Sequence, residues 1–313
     1  MRLLFIFMDG IGLGADDPNI NPFARAAMPF LRGLLGGRAL TRRAAPYEDE
    51  RTTLLAADAG LGVSGYPQSA TGQAVLLTGV NLPAALGYHY GPKPNADVAA
   101  YLGSENLFAR LTRAGKTSAL LNAYPPRYFD GIDSGKRLYS SIPLAVTNAG
   151  LQLLTKDDYF EGRAMAADFT GEGWAGFLGY PQAPVFTPES AGTELARLAA
   201  QYDFAMFEYW ASDYAGHKQD MPSAVAQLER FDGVLNGLLE HRDMTRDLVL
   251  ITSDHGNMED LSVRRHTDNA VPVLLFGDLR ARQRFADGLT DLADIAPRIW
   301  EAVTASAWSP AAA

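Results

Sequence analysis

The chain has 313 residues, of which 47% are hydrophobic and 20% charged; its net charge is −9, and it contains no cysteine. This length and composition are typical of a globular protein with a sizeable core and exclude a disordered chain. The lack of cysteine excludes disulfides, thiolate metal ligands and a cysteine nucleophile, so a bound metal would need histidine and carboxylate ligands. The acidic charge argues against a nucleic-acid partner.

Short apolar runs alternate with longer amphipathic stretches along the chain. The runs, which we predict to be strands, are Arg2–Met8, 116–122, 204–210, 247–253 and 270–276. The stretches with helical patterning include 104–114, 188–201 and 222–239. This alternation predicts an α/β fold, a mainly parallel sheet sandwiched by helices. In such sheets ligands bind at the carboxyl ends of the strands, so we expect the chemistry along that edge.

The first run and the middle third of the chain determine the predicted domain organisation. The opening MRLLFIFMDG could suggest a signal peptide, but Asp9 interrupts the apolar run, so we expect a buried first strand and a cytoplasmic protein. No run approaches the roughly 18 apolar residues that span a bilayer, so we expect no membrane contact. Between 124 and 188 the pattern loosens into segments rich in Gly, Pro and aromatic residues. We expect this segment to be a small insertion or lid within a single domain, 1–313.

Histidine and aspartate residues gather close to the predicted strand ends. The candidate metal ligands are Asp9, Asp213, His217, Asp254, His255 and His266. Alone, Asp254 and His255 fit an ordinary loop as well as a metal site, Asp213 and His217 fit a solvated pair better, and His266 fits a surface or loop histidine better. Three of only five histidines, however, lie beside carboxylates in the last third of the chain. A mixed set of six nitrogen and oxygen ligands suits two Zn²⁺ or Mn²⁺ ions better than one ion or Ca²⁺.

A candidate nucleophile lies in the segment SATGQAVLLTG, 69–79, which is predicted to be an apolar helix. Ser69 is at the predicted N-terminus, where free backbone amides and the helix dipole favour an alkoxide or a phosphate. The alternative is that Ser69 merely caps the helix, a role that serine often takes. The sequence pattern by itself leaves both interpretations open.

Six segments in order resemble the alkaline phosphatase superfamily, in the branch of cofactor-independent phosphoglycerate mutase and phosphopentomutase. They are MDGIG, NPFARAAMPFLRGLL, SATGQAVLLTG, DYAGH, SDHGNMED and HTDNAVPVLLF. The resemblance implies an alkaline phosphatase-like core with Ser69 as the nucleophile, and it favours Ser69 over Thr71. It also implies two sets of metal ligands. One set is Asp9, Ser69, Asp254 and His255, and the other is Asp213, His217 and His266.

The chain departs from this family pattern in two places. Gln73 stands where the mutases usually carry histidine, and the span between Ser69 and Asp213 is too short for their full cap domain. Thr71 and Gln73 also occupy positions where sulfatases need other residues, which argues against a sulfatase. Both are candidate substrate-binding residues. Weaker candidates, chosen by charge and position, are Lys93, Asn122, Arg127 and Lys218.

These features lead us to expect a two-metal phosphoryl-transfer enzyme acting on a small phosphate ester. The favoured activity is hydrolysis through a phosphoserine intermediate at Ser69. A phosphomutase, which returns the phosphoryl group to the substrate, is the main alternative, although a small lid is ill suited to excluding water. A non-catalytic metal-binding module is the alternative from another class. The oligomeric state is left open.

Overall fold

A computed structural model describes residues 1–305, so residues 306–313 of the expected domain lie outside the described part. The strands are β1 (Arg2–Met8), β2 (Tyr47–Glu48), β3 (Thr52–Ala57), β4 (Ser118–Leu120), β5 (Ala123–Tyr124), β6 (Leu154–Thr155), β7 (Phe204–Tyr209), β8 (Asp247–Thr252) and β9 (Val271–Gly277). The helices are α1 (Pro22–Arg25), α2 (Pro29–Leu34), α3 (Ser69–Thr78), α4 (Leu82–Leu86), α5 (Ala96–Tyr101), α6 (Leu107–Arg113), α7 (Pro126–Asp133), α8 (Ser141–Asn148), α9 (Lys156–Phe160), α10 (Glu172–Gly176), α11 (Pro188–Ala199), α12 (Ala211–Lys218), α13 (Met221–Glu240), α14 (Leu279–Ala286) and α15 (Ile295–Thr304).

The main sheet has seven strands in the order β2-β3-β9-β8-β1-β7-β4. Strand β1 pairs in parallel with both β7 and β8, and β4 pairs in parallel with β7. Strand β9 is antiparallel to β8, and β3 is antiparallel to β9, so β3 runs in the same direction as β1. The predicted α/β class is therefore confirmed, with a mixed, mostly parallel central sheet flanked by helices.

The central strands are apolar throughout because both faces of the sheet are covered, as is usual for parallel sheets. Strands β7 and β8 are buried along their whole length, and β1 is buried after its first residue. Helices α3, α6, α8 and α15 contribute to the core on one face of the sheet. Helices α2, α11 and α13 contribute to the core on the other.

The predicted strands are all present, but β2 and β3 of the main sheet and the short pair β5 and β6 were not predicted. Strand β1 has the predicted bounds, whereas β4 is shorter than the predicted run 116–122. The sequence pattern did not reveal β2 and β3, and it did not indicate that β9 runs antiparallel. The predicted helix at the candidate nucleophile is α3, which ends at Gly79 in a left-handed conformation.

The segment 124–188 contains α7, α8, α9 and α10 and the short pair β5 and β6. Its first half packs against the main core, because Ile142, Ala145 and Val146 of α8 belong to the same apolar cluster as α3. Its second half forms a small cluster of its own around Tyr159 and Trp174. The lid role of this segment stays a prediction. Within residues 1–305, none of the helices combines the length and apolar character needed to cross a bilayer.

Candidate metal centre

The candidate ligands lie at the carboxyl ends of three neighbouring strands. Asp9 directly follows β1, and Asp254 and His255 come shortly after β8. Helix α12, which follows β7, carries Asp213 and His217. Because β1 lies between β7 and β8 in the sheet, these three loops meet at one edge. The structure therefore brings the ligands together where the strand-end rule places them.

One group of ligands surrounds the Nε2 atom of His255. Ser69 Oγ lies 3.0 Å from this nitrogen, Asp9 Oδ1 3.4 Å and Asp254 Oδ2 3.6 Å. In a serine–histidine–aspartate triad, the carboxylate would instead contact the far ring nitrogen, Nδ1. Here Nδ1 lies 3.4 Å from the carbonyl oxygen of Gly256. Three oxygens and one nitrogen that converge on one point are arranged like ligands of a shared cation.

The other group is formed by Asp213, His217 and His266. Nδ1 of His217 lies 2.8 Å from the carbonyl oxygen of Arg264, and Nδ1 of His266 lies 2.7 Å from that of Pro67. A carbonyl oxygen can only accept a hydrogen bond, so both Nδ1 atoms carry the proton. The two Nε2 atoms, 3.3 Å apart, therefore face each other with their lone pairs unless a proton or a metal ion lies between them.

Asp213 connects the two groups. Its carboxylate lies 3.3 Å from Nε2 of His217 and 3.7 Å from Nε2 of His266. It can also share an ion with Asp9 and His255, since ligand atoms of these three residues lie within 4.8 Å of one another. Asp213, His217 and His266 are one of the two sets that the family resemblance implies. Ser69, Asp9 and Asp254 around His255 are the other, and Asp213 lies close to it as well; the role of these residues as metal ligands stays a prediction.

Burial perturbs the pKa values of these groups in directions that suit a cation. It raises the pKa of Asp254 to about 7 and that of Asp9 well above the ordinary value, and neighbouring carboxylates add to both shifts. Burial also lowers the pKa of His255 and His266, which keeps these imidazoles neutral, as metal ligands must be. For Asp213, burial acts upward, but the effects of His217, His255 and Asn257 together outweigh it and lower the pKa to about 2.

The residues present fit divalent cations. Asp9 Oδ1 has no hydrogen-bond partner among the described residues, although it is buried next to other carboxylates. Uncompensated buried charge of this kind is costly, and a coordinated metal would neutralise it. The residues that would hold such ions are Asp9, Ser69, Asp213, His217, Asp254, His255 and His266. The mixed imidazole and carboxylate donors match those that bind Zn²⁺ or Mn²⁺.

Ser69 does not cap its helix. It is the first residue of α3, the N-cap residue is Gln68, and the Ser69 hydroxyl lies against His255 instead. The Thr71 hydroxyl donates to the carbonyl oxygens of Gln68 and Tyr90 and accepts from the Tyr90 amide at 3.1 Å. Because Thr71 is bound to the backbone, Ser69 is the hydroxyl that faces the metal ligands.

Close packing holds α3 against the loop that follows β8. A Cβ atom on Gly72 would lie 2.9 Å from Cβ of Asp254, so only glycine permits this approach. Gln73, one residue further, donates from Nε2 to Asp254 Oδ2 at 3.3 Å and to Asp9 Oδ2 at 3.5 Å. The predicted substrate-binding role of Gln73 remains untested; its amide faces the ligand carboxylates.

The weaker substrate-binding candidates are placed differently. Asn122 uses both amide atoms on the backbone of Glu208, each at 2.8 Å, and therefore fixes the end of β7. Arg127 lies 5.4 Å from the ring of the exposed Phe177, and Lys218 lies 5.2 Å from that of Tyr214. Lys93 is half-buried on the loop before α5.

Sequence reasoning missed several residues that hold the centre together. The fully buried carboxylate of Glu259 accepts from the amides of Gly12 at 2.9 Å and Asn257 at 2.7 Å, and from the Thr267 hydroxyl. It thus connects three ligand-bearing loops. Asn257 also donates to Asp213 Oδ1 at 2.6 Å. Both lie in SDHGNMED, so the motif contained them, but their partners are far away in sequence.

Comparisons with known proteins identify related sequences and folds. The model of the Metalloenzyme superfamily matches residues 189–307. A 2,3-bisphosphoglycerate-independent phosphoglycerate mutase from Moorella thermoacetica is 27% identical over 126 residues, 38% of this chain and 24% of the relative. One from Desulforudis audaxviator is 31% identical over 131 residues, 38% of this chain and 25% of the relative. The matches thus span about a quarter of the length of these curated relatives.

Solved structures share the fold across nearly the whole chain. The PH0037 protein from Pyrococcus horikoshii aligns with a TM-score of 0.55 and 15% identity, covering 96% of each chain. The alkaline phosphatase from the Antarctic bacterium TAB5 aligns with a TM-score of 0.54 and 13% identity, covering 99% of each chain. Residues 189–307 thus match the Metalloenzyme superfamily, part of the chain shows distant homology to 2,3-bisphosphoglycerate-independent phosphoglycerate mutase, and the fold is that of alkaline phosphatase.

Proposed function

We propose that this protein is a metal-dependent hydrolase of small phosphate esters that acts through a phosphoserine at Ser69. The observation that carries the proposal is the position of the Ser69 hydroxyl. It begins a helix and lies 3.0 Å from His255 Nε2, at the point where Asp9 and Asp254 also converge. A structural metal site would be closed by protein ligands and would not need a hydroxyl there.

The chemistry divides into two displacements at phosphorus. Ser69 Oγ attacks the phosphorus atom in line, the bond to the alcohol oxygen breaks, and the alcohol leaves with a proton. Water then attacks the phosphoserine, which releases phosphate and restores the serine hydroxyl. The N-terminus of α3 orients the anionic phosphoryl group through its first backbone amides and dipole. Two divalent cations, when bound, would favour ionised Ser69 and stabilise the charge on the phosphoryl oxygens.

Packing of the segment 124–188 favours hydrolysis over mutase chemistry. A mutase must close over the substrate and keep water out while the phosphoryl group is returned. Here α8 is anchored rather than hinged: the Ser141 hydroxyl donates to the Ala70 carbonyl oxygen at 3.0 Å, and Ile142 is buried in the core. A large closing movement of α8 would have to break these contacts. The sequence resemblance to mutases keeps a phosphomutase as the second candidate.

The decisive experiment compares Ser69→Ala with Thr71→Val in protein loaded with Mn²⁺ or Zn²⁺. Release of phosphate from p-nitrophenyl phosphate should fall by about three orders of magnitude or more in S69A, because the attacking oxygen is lost. T71V should retain turnover within tenfold, since the Thr71 hydroxyl binds only backbone. Mass spectrometry of quenched wild-type protein should show phosphate on Ser69. Full activity in S69A would refute the proposal.

The alternatives predict other results in the same experiments. A mutase would convert 3-phosphoglycerate or ribose 1-phosphate into an isomer without releasing phosphate. A non-catalytic module would bind metal, turn over none of these esters and carry no phosphate on Ser69.

A further inference from the structure

Three residues form a polar group next to the metal centre, outside its ligand set. We call Tyr124, Tyr128 and Glu208 the Glu208 cluster. Glu208 is only 7% exposed, and Tyr128 is 8% exposed. The hydroxyl of Tyr124 donates to Glu208 Oε2 over a long 3.4 Å, and the rings of Tyr124 and Tyr128 lie 4.5 Å apart.

Strand register places Glu208 beside the phosphoryl site. Glu208 on β7 is paired with Phe7 on β1, and paired residues of neighbouring strands point to the same face of the sheet. Asp9 comes two residues after Phe7, so its side chain lies on that face if the strand geometry continues. Neighbouring strands are about 4.8 Å apart.

The cluster has hydrogen-bonding capacity that its own residues do not use. The buried Tyr128 hydroxyl has no partner among the described residues. Leaving such a group unpaired destabilises the protein, so a ligand that supplies the partner is favoured. Glu208 offers a strong acceptor, and the hydrogen bond that its Oε2 receives from Tyr124 is long.

We propose that the Glu208 cluster binds a hydroxyl group of the alcohol portion of the substrate, which makes the protein selective for phosphate esters of polyols or sugars. This inference rests on the proposed function, because it assigns the substrate class of the same site. Glu208 accepts a hydrogen bond from the substrate hydroxyl, and Tyr128 donates one to it or to a neighbouring hydroxyl. An ester without a second hydroxyl would enter the phosphoryl site but leave the cluster unpaired.

The test compares glycerol 3-phosphate with ethyl phosphate, which share the phosphoryl group but differ in further hydroxyls. Glu208→Gln and Tyr128→Phe should each lower kcat/KM for glycerol 3-phosphate about tenfold and change it for ethyl phosphate less than threefold. Tyr180→Phe, which removes a hydroxyl from the separate cluster around Trp174, is the matched control and should change neither. Y128F should fold normally, because the hydroxyl it removes is unpaired.

Two further measurements separate the possible failures. Metal content of E208Q should equal that of the wild type; loss of one ion per chain would make Glu208 a metal ligand and overturn the proposal. Equal losses on both esters would overturn it as well. Binding of both esters to metal-loaded S69A, measured by calorimetry, does not depend on turnover. If the wild type hydrolyses neither ester, the proposed function fails. The cluster would still be supported if S69A bound glycerol 3-phosphate more tightly than ethyl phosphate and if adding Tyr128→Phe abolished this difference.

Discussion

Replacing Asp254 by asparagine should have opposite effects on stability with and without metal. In metal-free protein the pKa of Asp254 is raised from 3.8 to about 7 by burial and by Asp213. The folded protein therefore keeps a proton that the unfolded chain releases, and the free energy of unfolding falls as pH rises from about 4 to about 7. At about 1.4 kcal/mol per pH unit, the total loss of stability once the pH has passed 7 is on the order of 4 kcal/mol.

Asparagine has nearly the same shape as aspartate but never ionises, so Asp254→Asn should recover much of this loss. The amide of Gln73 can rotate to accept from the new side chain, because Gln73 Oε1 is unpaired among the described residues. We expect metal-free D254N to be more stable than metal-free wild type at pH 8 and equal to it near pH 4. With metal present the order should reverse, since the variant loses an anionic ligand and with it the stabilisation that binding confers.

Urea unfolding of wild type and D254N at pH 4 and pH 8, in EDTA and in excess Mn²⁺, gives four free energies of unfolding for each protein. The matched control is Asp268→Asn, an exposed acid on the loop that carries His266; it should shift none of them by more than about 0.5 kcal/mol. If D254N were less stable than wild type in EDTA at pH 8, the electrostatic account of the centre would be wrong. An unchanged gain from Mn²⁺ would remove Asp254 from the ligand set.

Two other substitutions test how the centre is held. Glu259→Gln should lower the free energy of unfolding, measured in urea, by about 2–3 kcal/mol. The carboxylate accepts from the backbone N–H groups of Gly12 and Asn257 and from the Thr267 hydroxyl, and the glutamine side chain has only one oxygen for these three donors. Gly72→Ala should cost about 1–3 kcal/mol through overpacking and should weaken Mn²⁺ binding in a titration, because its Cβ displaces the metal-ligand loop; unchanged affinity would mean that the loop adjusts freely.

The parts of the fold that sequence reasoning predicted are those whose signal is local. β1 and β8 are continuous apolar runs because both faces of the sheet are covered. β3 was missed because its pairing is with β9, more than 200 residues later, and its burial is interrupted at two positions. Arg282, fully buried, fixes β3 by donating to the Thr53 hydroxyl at 2.6 Å, a contact that no local pattern reveals.

The candidate site shows the same division. Asp254 and His255 were found because they lie together in a recognisable motif just after a strand. Glu208 was missed because a single glutamate in the apolar run FAMFEYW looks like part of an ordinary strand. Its partner Tyr124 is 84 residues away and comes shortly after β4, so their proximity depends on the pairing of β4 with β7 in the sheet.

The arrangement of parallel strands explains why this edge of the sheet needs a cation from solution. Strands β8, β1 and β7 are adjacent and run in the same direction, so the carboxylates of Asp254, Asp9 and Glu208 come from neighbouring strand ends. Burial raises the pKa of Asp9 and that of Glu208, and the charge of Asp254 adds to both shifts. A protein cation placed among them would occupy the space beside the Ser69 hydroxyl that a phosphoryl group has to enter. A metal ion compensates the same charge and keeps open coordination positions for the phosphate. The electrostatic cost of the metal-free centre would therefore favour metal binding and, if the proposed function holds, binding of an anionic ester through the metal.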